Sequence, residues 1–297
     1  MTSPATITEA PAPAVEYSRL RGASAWLRSG RAKLGVGLTS AVLLLALVGP
    51  LAAPHAPDAV VGTPFSPPSG TFLLGTDYLG HDVLSRVLWG GRTVVWMSFA
   101  AATLGVTLGV AVGLLAGYSR SLLDDVLMRG MDIVLAFPQL VFVLLFVSLL
   151  GPQLWLIVLL VALSWMPQVA RVARGVTLAV VDREFVQAAE AIGLRRRRIL
   201  AREILPNITT PLLVEYGLRL TWSIAIVAAV SFLGFGIQPP NANWGLMINE
   251  NRQGLLLQPW PVVVPGLCIA AFAIGTNFVA EGISRAISGV DRVGRAQ

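Results

Sequence analysis

Long apolar runs separated by shorter polar segments dominate this amino-acid sequence. Six of these runs come close to the roughly 20 residues that a helix needs to cross the hydrocarbon core of a bilayer. They predict transmembrane helices at residues 34–53, 93–118, 131–150, 154–172, 212–235 and 261–281. The pattern therefore predicts an all-α membrane protein with six transmembrane helices.

Glycine and proline give two of these spans a particular character. In the second span glycine recurs at every fourth residue, at Gly105, Gly109, Gly113 and Gly117. Small residues at this spacing form a helix face on which another helix backbone can pack closely. In the third span Pro138 is expected to kink the helix near its start, because proline cannot donate the backbone hydrogen bond.

The predicted spans divide the chain into three regions. Residues 1–33 form a tail that we expect to be partly disordered, residues 34–283 form the transmembrane domain, and residues 284–297 form a short basic tail. Composition supports the membrane assignment, since 55% of the residues are hydrophobic and only 13% are charged. A soluble domain carries about 25% charged residues.

The arginines indicate how the helices are oriented. With the N-terminus inside, only Arg86, Arg92 and Arg252 of the 22 lysine and arginine residues fall in outer segments, which leaves 19 in inner ones. Positive charge is concentrated on the cytoplasmic side of membrane proteins. We therefore predict that both termini and the segment 182–206 are cytoplasmic. This bias also accounts for the arginine run 195–198, so we expect no nucleic-acid partner.

The polar segment 182–206 lies between the fourth and fifth predicted spans. Phe185, Ala188, Ala189 and Ile192 recur at helical spacing and predict one apolar face of a short helix. Asp182 is its predicted N-cap, and Gly193 is placed to end it. A second short helix follows the arginine run, and Pro206 and Pro211 are expected to break it. The small side chains predict a surface that another protein can approach closely.

Two further segments connect the predicted spans on the outer side. Residues 75–92 have an apolar and a charged helix face, a pattern that fits either a helix lying in the membrane interface or a short helix packed on its own protein. In the segment 231–267, Trp244 and Trp260 are typical of residues that anchor a protein at the membrane interface. This segment is also a candidate contact for an incoming binding protein.

The sequence contains no constellation of catalytic residues. Motifs for a phosphate-binding loop, a zinc protease, a serine hydrolase and a paired Cys/His cluster are all missing, so we predict no enzyme, cofactor or metal site in this chain. Ionisable groups at membrane depth are functional candidates. Asp132 and Asn277 are therefore candidates for lining a pathway, although an interfacial or interhelical structural role is the alternative for each. Glu215 and Arg219, four residues apart, predict an ion pair.

Three motifs carry a resemblance to a known family. The residues Gln187, Ala188 and Ala189, followed by Gly193 and the Ile204-Leu205-Pro206 sequence, resemble the EAA motif of ABC importer permeases, with Gln187 in place of its first Glu. Residues 75–86 (GTDYLGHDVLSR) resemble the GTDxxGRDVLSR signature of dipeptide, oligopeptide and nickel permeases, with His81 in place of Arg. Residues 231–245 (SFLGFGIQPPNANWG) resemble a third signature of the same permeases. The chain is similar to their C-type subunit.

The resemblance implies a type I ABC importer permease fold, with a cytoplasmic coupling helix and an interfacial helix on the periplasmic side. It implies a multi-pass location in the bacterial plasma (inner) membrane. The implied partners are a homologous B-type permease, two ATPase subunits that bind ATP and Mg²⁺, and an extracellular or periplasmic substrate-binding protein. The implied coupling residues are Glu184, Gln187, Ala188, Ala189, Gly193, Ile204, Leu205 and Pro206.

The resemblance leaves the substrate open among dipeptides, longer peptides, nickel chelates and haem. The implied function is that of a permease that forms half of the pathway and transmits the motion of the ATPases through its coupling helix. The alternative is a stand-alone secondary transporter or channel. Such a protein needs ion-coupling groups near the bilayer midplane, and this sequence supplies almost none.

Overall fold

The computed structural model describes residues 30–288, and the predicted tail residues 1–29 and 289–297 lie outside them. The described residues form ten α-helices with one π-helical and one 3₁₀ segment between them. In chain order they are α1 (Gly30–Ala52), α2 (Val83–Ser119), α3 (Leu122–Leu135), α4 (Gln139–Leu150), α5 (Leu154–Val181), α6 (Glu184–Ala191), α7 (Arg196–Arg198), the π-helical segment (Ile199–Ile204), α8 (Leu205–Phe232), α9 (Trp244–Asn251), the 3₁₀ segment (Arg252–Gly254) and α10 (Trp260–Ser288).

The structure has five or six helices that can cross a bilayer. Their number is the predicted six when α3 and α4 are taken together as one span. Five helices within residues 30–288 are long and apolar enough to cross a bilayer: α1, α2, α5, α10 and the continuous helix Arg196–Phe232. The sixth candidate is the pair α3 and α4, which meet at an angle of 81°. The all-α fold class is thus confirmed.

The third predicted span is broken rather than kinked. α3 ends at Leu135 and α4 begins at Gln139, so the bend falls at residues 136–138. Pro138 is the N-cap of α4, where its missing N–H removes no helix hydrogen bond. α3 carries Asp124 and Asp125 in its first turn, and Asp124 is buried against Arg174 of α5 at 2.6 Å.

The helix predicted over residues 75–92 is not a separate element. Residues 75–82 are not helical, and α2 continues from Val83 through residue 92 into the second span. Asp82 caps α2 by accepting hydrogen bonds from the backbone N–H and the hydroxyl of Ser85, at 3.1 and 2.6 Å. Because this cap fixes the start of the helix at residue 83, α2 is 37 residues long, or about 55 Å.

The glycines of α2 pack against α5, as their spacing predicts. A Cβ atom built on Gly109 would lie 2.6 Å from Val169 Cβ, and one on Gly113 would lie 2.5 Å from the carbonyl oxygen of Ala170. Gly117 similarly faces Thr177. The two helices are therefore in backbone contact over several turns, and α5 is the central buried helix of the bundle.

The prediction of a separate short helix after the arginine run is wrong. Residues Arg196–Phe232 form one helix, and neither Pro206 nor Pro211 ends it. Pro206 directly follows the π-helical segment, in which the N–H of Leu205 donates to the carbonyl oxygen of Leu200, five residues back. The helix accommodates the missing N–H of Pro206 at this irregularity. Pro211 lies inside α8 between the buried residues Ile208 and Leu212, whose packing holds the helix together around the missing hydrogen bond.

Candidate functional site

α6 is a two-turn helix at one end of the bundle, between the transmembrane helices α5 and α8. Its N-cap is Arg183 rather than the predicted Asp182. Asp182 instead ends α5 and pairs with Arg120, which follows α2, at 2.6 Å. The hydrogen bond from Arg120 lowers the pKa of the Asp182 carboxyl group. We call this end of the molecule the α6 end.

Gly193 ends α6 in the way that the sequence predicts. Its φ angle is +76°, and its N–H donates to the carbonyl oxygen of Glu190 at 2.9 Å. The next N–H, of Leu194, donates to Ala189 at 3.1 Å, which completes the two-bond turn typical of glycine-terminated helices. A Cβ on Gly193 would meet no atom within 4 Å. Gly193 is therefore needed for its backbone conformation and not for a close approach within this chain.

The apolar residues of α6 divide between two faces, and this differs from the prediction of one face. Val186 and Ala189 are buried against the bundle. Phe185 is 40% exposed and Ile192 is 74% exposed, and Ala188 is exposed beside them. α6 therefore packs on its own protein through one face and leaves a second apolar surface uncovered. We call Phe185, Ala188 and Ile192 the outward surface.

The inward face of α6 is held by contacts with three other helices. Val186 and Ala189 belong to a hydrophobic cluster that includes Leu114 of α2, Ala173 of α5 and Ile208 of α8. Tyr118 of α2 packs against this cluster, and its hydroxyl donates to Glu190 at 2.6 Å. α6 is thus fixed to the ends of the membrane helices, so a force applied to it acts directly on them.

The other residues implied by the EAA motif lie on both sides of this contact. Glu184 and Gln187 are exposed, and Gln187 Nε2 donates to the carbonyl oxygen of Asp182 at 3.3 Å. Ile204, in the π-helical segment, is fully buried in the cluster beneath α6. Leu205 packs beside it, and Pro206 is exposed. The motif thus combines residues that pack beneath α6 with residues that face outward.

The two candidate pathway residues do not join this site. Asp132 pairs with Arg171 of α5 at 2.6 Å, and both side chains are more than half exposed. Asn277 is exposed on α10, where it continues a stripe of exposed residues that includes Val263, Leu267 and Ile274. A role for either residue in lining a pathway stays a prediction.

A buried charged cluster at the opposite end of the bundle was only partly visible in the sequence. Arg86 of α2 binds Asp77, and it also binds Glu250 of α9 at 2.9 Å. Asp77 further accepts from the backbone N–H of Leu79 and from His81, whose Nδ1 lies 3.0 Å away. Asp77, His81 and Arg86 belong to the signature at residues 75–86, whereas no local signal marks Glu250.

Trp244 lies next to this cluster and is not a residue of the membrane interface. Its side chain is fully buried, and its Nε1 donates to the carbonyl oxygen of Val87 at 2.8 Å. Gly90 and Gly91 make room for the indole, since a Cβ on Gly91 would lie 2.3 Å from the ring. The segment after α8 is therefore folded onto α2 as the helix α9.

Comparison with known proteins agrees with this geometry. Residues 109–289 match the family described as binding-protein-dependent transport system inner membrane component. A di/tripeptide transport system permease protein of Pseudomonas aeruginosa is 33% identical over 83% of this chain and 84% of its own length. A dipeptide transport system permease protein of Alkalihalophilus pseudofirmus is 34% identical over 74% of this chain and 72% of its own length.

Among solved structures, an inward-facing form of the MetNI methionine ABC transporter matches with a TM-score of 0.50 and 18% identity. The match covers 69% of this chain and 96% of the other, and it supports the type I importer permease fold.

The chain belongs to the family of binding-protein-dependent transport system inner membrane components. It is therefore a multi-pass permease subunit of an ABC importer and not itself an enzyme. The family works with ATPase and substrate-binding components. Membership supports an importer subunit and not the alternative of a stand-alone transporter or channel.

Proposed function

We propose that this chain is a permease subunit of an ATP-driven importer of small peptides, and that α6 is its coupling helix. The substrate class follows the names of its relatives, which are dipeptide and di/tripeptide permeases. The α6 end then faces the cytoplasm, as the predicted excess of arginine on that side requires. Both chain termini would be cytoplasmic, and the cluster around Arg86 would face the binding protein.

The proposed assembly contains a second, homologous permease of the B type, with which this chain forms the pathway. Two cytoplasmic ATPase subunits bind ATP and Mg²⁺, and a periplasmic or extracellular protein delivers the peptide. ATP binding would draw the ATPases together and displace α6, and the pathway would then open to the outside. Hydrolysis would reverse this change.

The outward surface of α6 is the observation that carries the proposal. Burial of a fully exposed large apolar side chain contributes about 1.5–3 kcal/mol. Phe185 is 40% exposed and Ile192 is 74% exposed, so a partner that covers them gains a corresponding part of this free energy from each. Ala188 lies beside them, and its small side chain lets a partner approach the helix backbone. The face that carries Val186 and Ala189 is already packed on the bundle, so a partner of α6 binds the outward surface.

The substitution Ala188→Arg tests this assignment, because it places a long charged side chain on the outward surface without touching the support. We expect a folded, inserted protein whose complex loses most of its ATPase stimulation and peptide uptake. Both are measured in proteoliposomes with the complete set of subunits and the binding protein. Ala189→Arg is unsuitable, because Ala189 packs inward and its replacement would disturb the bundle.

The matched control is Ala56→Arg, the same change at an exposed alanine in the loop between α1 and α2, at the opposite end of the bundle. It should leave the coupling of ATPase activity to uptake intact. If Ala188→Arg behaves like this control, α6 is not the docking helix. Peptide uptake by the chain alone, without ATP, would overturn the whole proposal.

A further inference from the structure

A charged cluster joins α5 and α8 halfway along their length. Gln168 lies 14 residues after the start of α5 at Leu154 and 13 before its end at Val181. Arg219 occupies the same position in α8, 14 residues after Leu205 and 13 before Phe232. These two helices are also the ones that flank α6 along the chain. The cluster therefore lies inside the predicted spans 154–172 and 212–235, toward the ends that lead to the coupling segment.

Arg219 makes contacts within its own helix and across to α5. Its Nε donates to Glu215 Oε1 at 2.7 Å, and its Nη2 is 2.6 Å from the same oxygen. Its Nη1 donates to Gln168 Oε1 on α5. The guanidinium also lies over the ring of Trp165, 4.9 Å from the ring centroid. We call Trp165, Gln168, Glu215 and Arg219 the clasp.

Stability alone does not account for a charged clasp at this depth. Charged side chains inside a membrane span are costly and are usually kept for a function. An ion pair in such a site is seldom more stable than well-packed apolar residues of the same size. Glu215 and Trp165 are both buried, so the clasp is a specific connection between helices and not a solvated surface pair.

One continuous face of α8 and the segment before it connects the clasp to α6. Moving away from α6 along this face, the residues are Ile204, Ile208, Leu212, Glu215 and Arg219, at spacings of four, four, three and four. The first three belong to the hydrophobic cluster that also holds Val186 and Ala189 of α6. The helix face that supports α6 at one end therefore carries the ion pair about four turns further along the same helix.

We propose that the clasp makes α5 and α8 move together with α6, so that a displacement of α6 reaches the membrane-spanning part of both helices as one motion. Without it, the apolar contacts between α5 and α8 remain, and these fix the relative position of the two helices less specifically than a directed hydrogen bond. Part of the displacement of α6 is then lost before it reaches the pathway. Gln168 and Arg219 are positioning residues in this scheme and touch neither peptide nor nucleotide. The inference depends on the proposed function of α6.

The substitution Gln168→Leu tests the clasp, because it removes the hydrogen bond between the two helices and keeps both charges of the pair. The complete complex is reconstituted with its binding protein, and the peptide imported per ATP hydrolysed is measured. We expect this ratio to fall about fivefold or more while the ATPase rate remains, since coupling between two sites is typically of that size. The thermal unfolding temperature of the complex should change little.

Gln139→Leu is the matched control, since Gln139 of α4 also donates a side-chain hydrogen bond to α5, to Ser164 at 2.8 Å. Its ratio of uptake to hydrolysis should stay at the wild-type value. The exchange of Glu215→Arg with Arg219→Glu is a second test. It restores an ion pair within α8 but moves the guanidinium away from the level of Gln168, so it should not restore coupling.

Three results separate the outcomes. An unchanged ratio in Gln168→Leu, with the wild-type complex coupled, would overturn the clasp and leave the proposed function intact. Normal coupling in the exchanged pair would show that only the pair within α8 matters, and this also overturns the clasp. If the wild-type complex shows no ATP-dependent uptake, the proposed function itself is wrong.

Discussion

Replacing Gly113 by alanine should destabilise the protein far more than this small change does at an ordinary helix position. The added Cβ would lie 2.5 Å from the carbonyl oxygen of Ala170 and 2.6 Å from Ala173 Cβ. Because the first of these is a backbone atom, α2 and α5 must separate to accept it. Overpacking of this kind costs about 1–3 kcal/mol, and occasionally more. A lower thermal unfolding temperature in detergent and a smaller folded fraction would show it.

Gly175→Ala is the matched control on the partner helix. Gly175 lies in α5, and a Cβ built on it meets no atom within 4 Å. Because alanine is the better helix former by about 0.8–1 kcal/mol, this change should leave the unfolding temperature unchanged or raise it. If both variants have the same unfolding temperature, the glycines of α2 are not a packing surface. This result would contradict both the sequence prediction and the structure.

The glycine stripe and α6 show what could be predicted from the sequence. Glycine at every fourth residue is a local pattern with one physical use in a membrane helix, and the structure confirms it. The end of α6 at Gly193 is equally local, because the left-handed conformation there favours glycine. The sequence does not predict that Ala188 faces outward while Ala189 faces the bundle. The two residues are alike, and only the packing of α5 and α8 decides which of them faces inward.

The errors in the helix boundaries have a common cause. Hydropathy marks where a helix is surrounded by lipid, not where its backbone hydrogen bonds stop. α5 therefore runs nine residues past the predicted end at residue 172, to Val181. α2 likewise begins ten residues before the predicted start at 93. Pro138 predicts a disruption, but one proline does not give the 81° angle of the bend or the packing of α4 against α5 that follows it.

The end of the bundle opposite α6 was the least predictable part. Arg86 and Glu250 are 164 residues apart in sequence, so their contact exists only after α9 has folded onto α2. The burial of Trp244 also depends on this long-range contact. A tryptophan beside a span is typical of the membrane interface, so the sequence predicts that location instead. The signal that could have located Trp244 is the Gly90-Gly91 pair, because two adjacent glycines leave room on α2 for a large side chain, here its indole.

Removing the charge of Arg86 should have the largest effect of any single change at that end. Arg86→Met keeps an unbranched apolar stem but leaves Asp77, which is fully buried, and the largely buried Glu250 without the guanidinium. Breaking a buried ion pair in this way costs about 3–5 kcal/mol. We expect a sharp fall in the unfolding temperature and in the yield of folded permease. Because residues 75–82 and α9 are joined through this arginine, protease cleavage within them should rise as well.

Arg252→Met is the control, since Arg252 is an exposed arginine just after α9 and its loss should change the unfolding temperature little. A second variant tests the cause: adding Asp77→Asn to Arg86→Met removes one of the two uncompensated charges. The double variant should therefore be more stable than Arg86→Met alone, which additive losses would not allow. If Asp77→Asn instead adds its own loss in full, Arg86 stabilises this end by packing and not by charge.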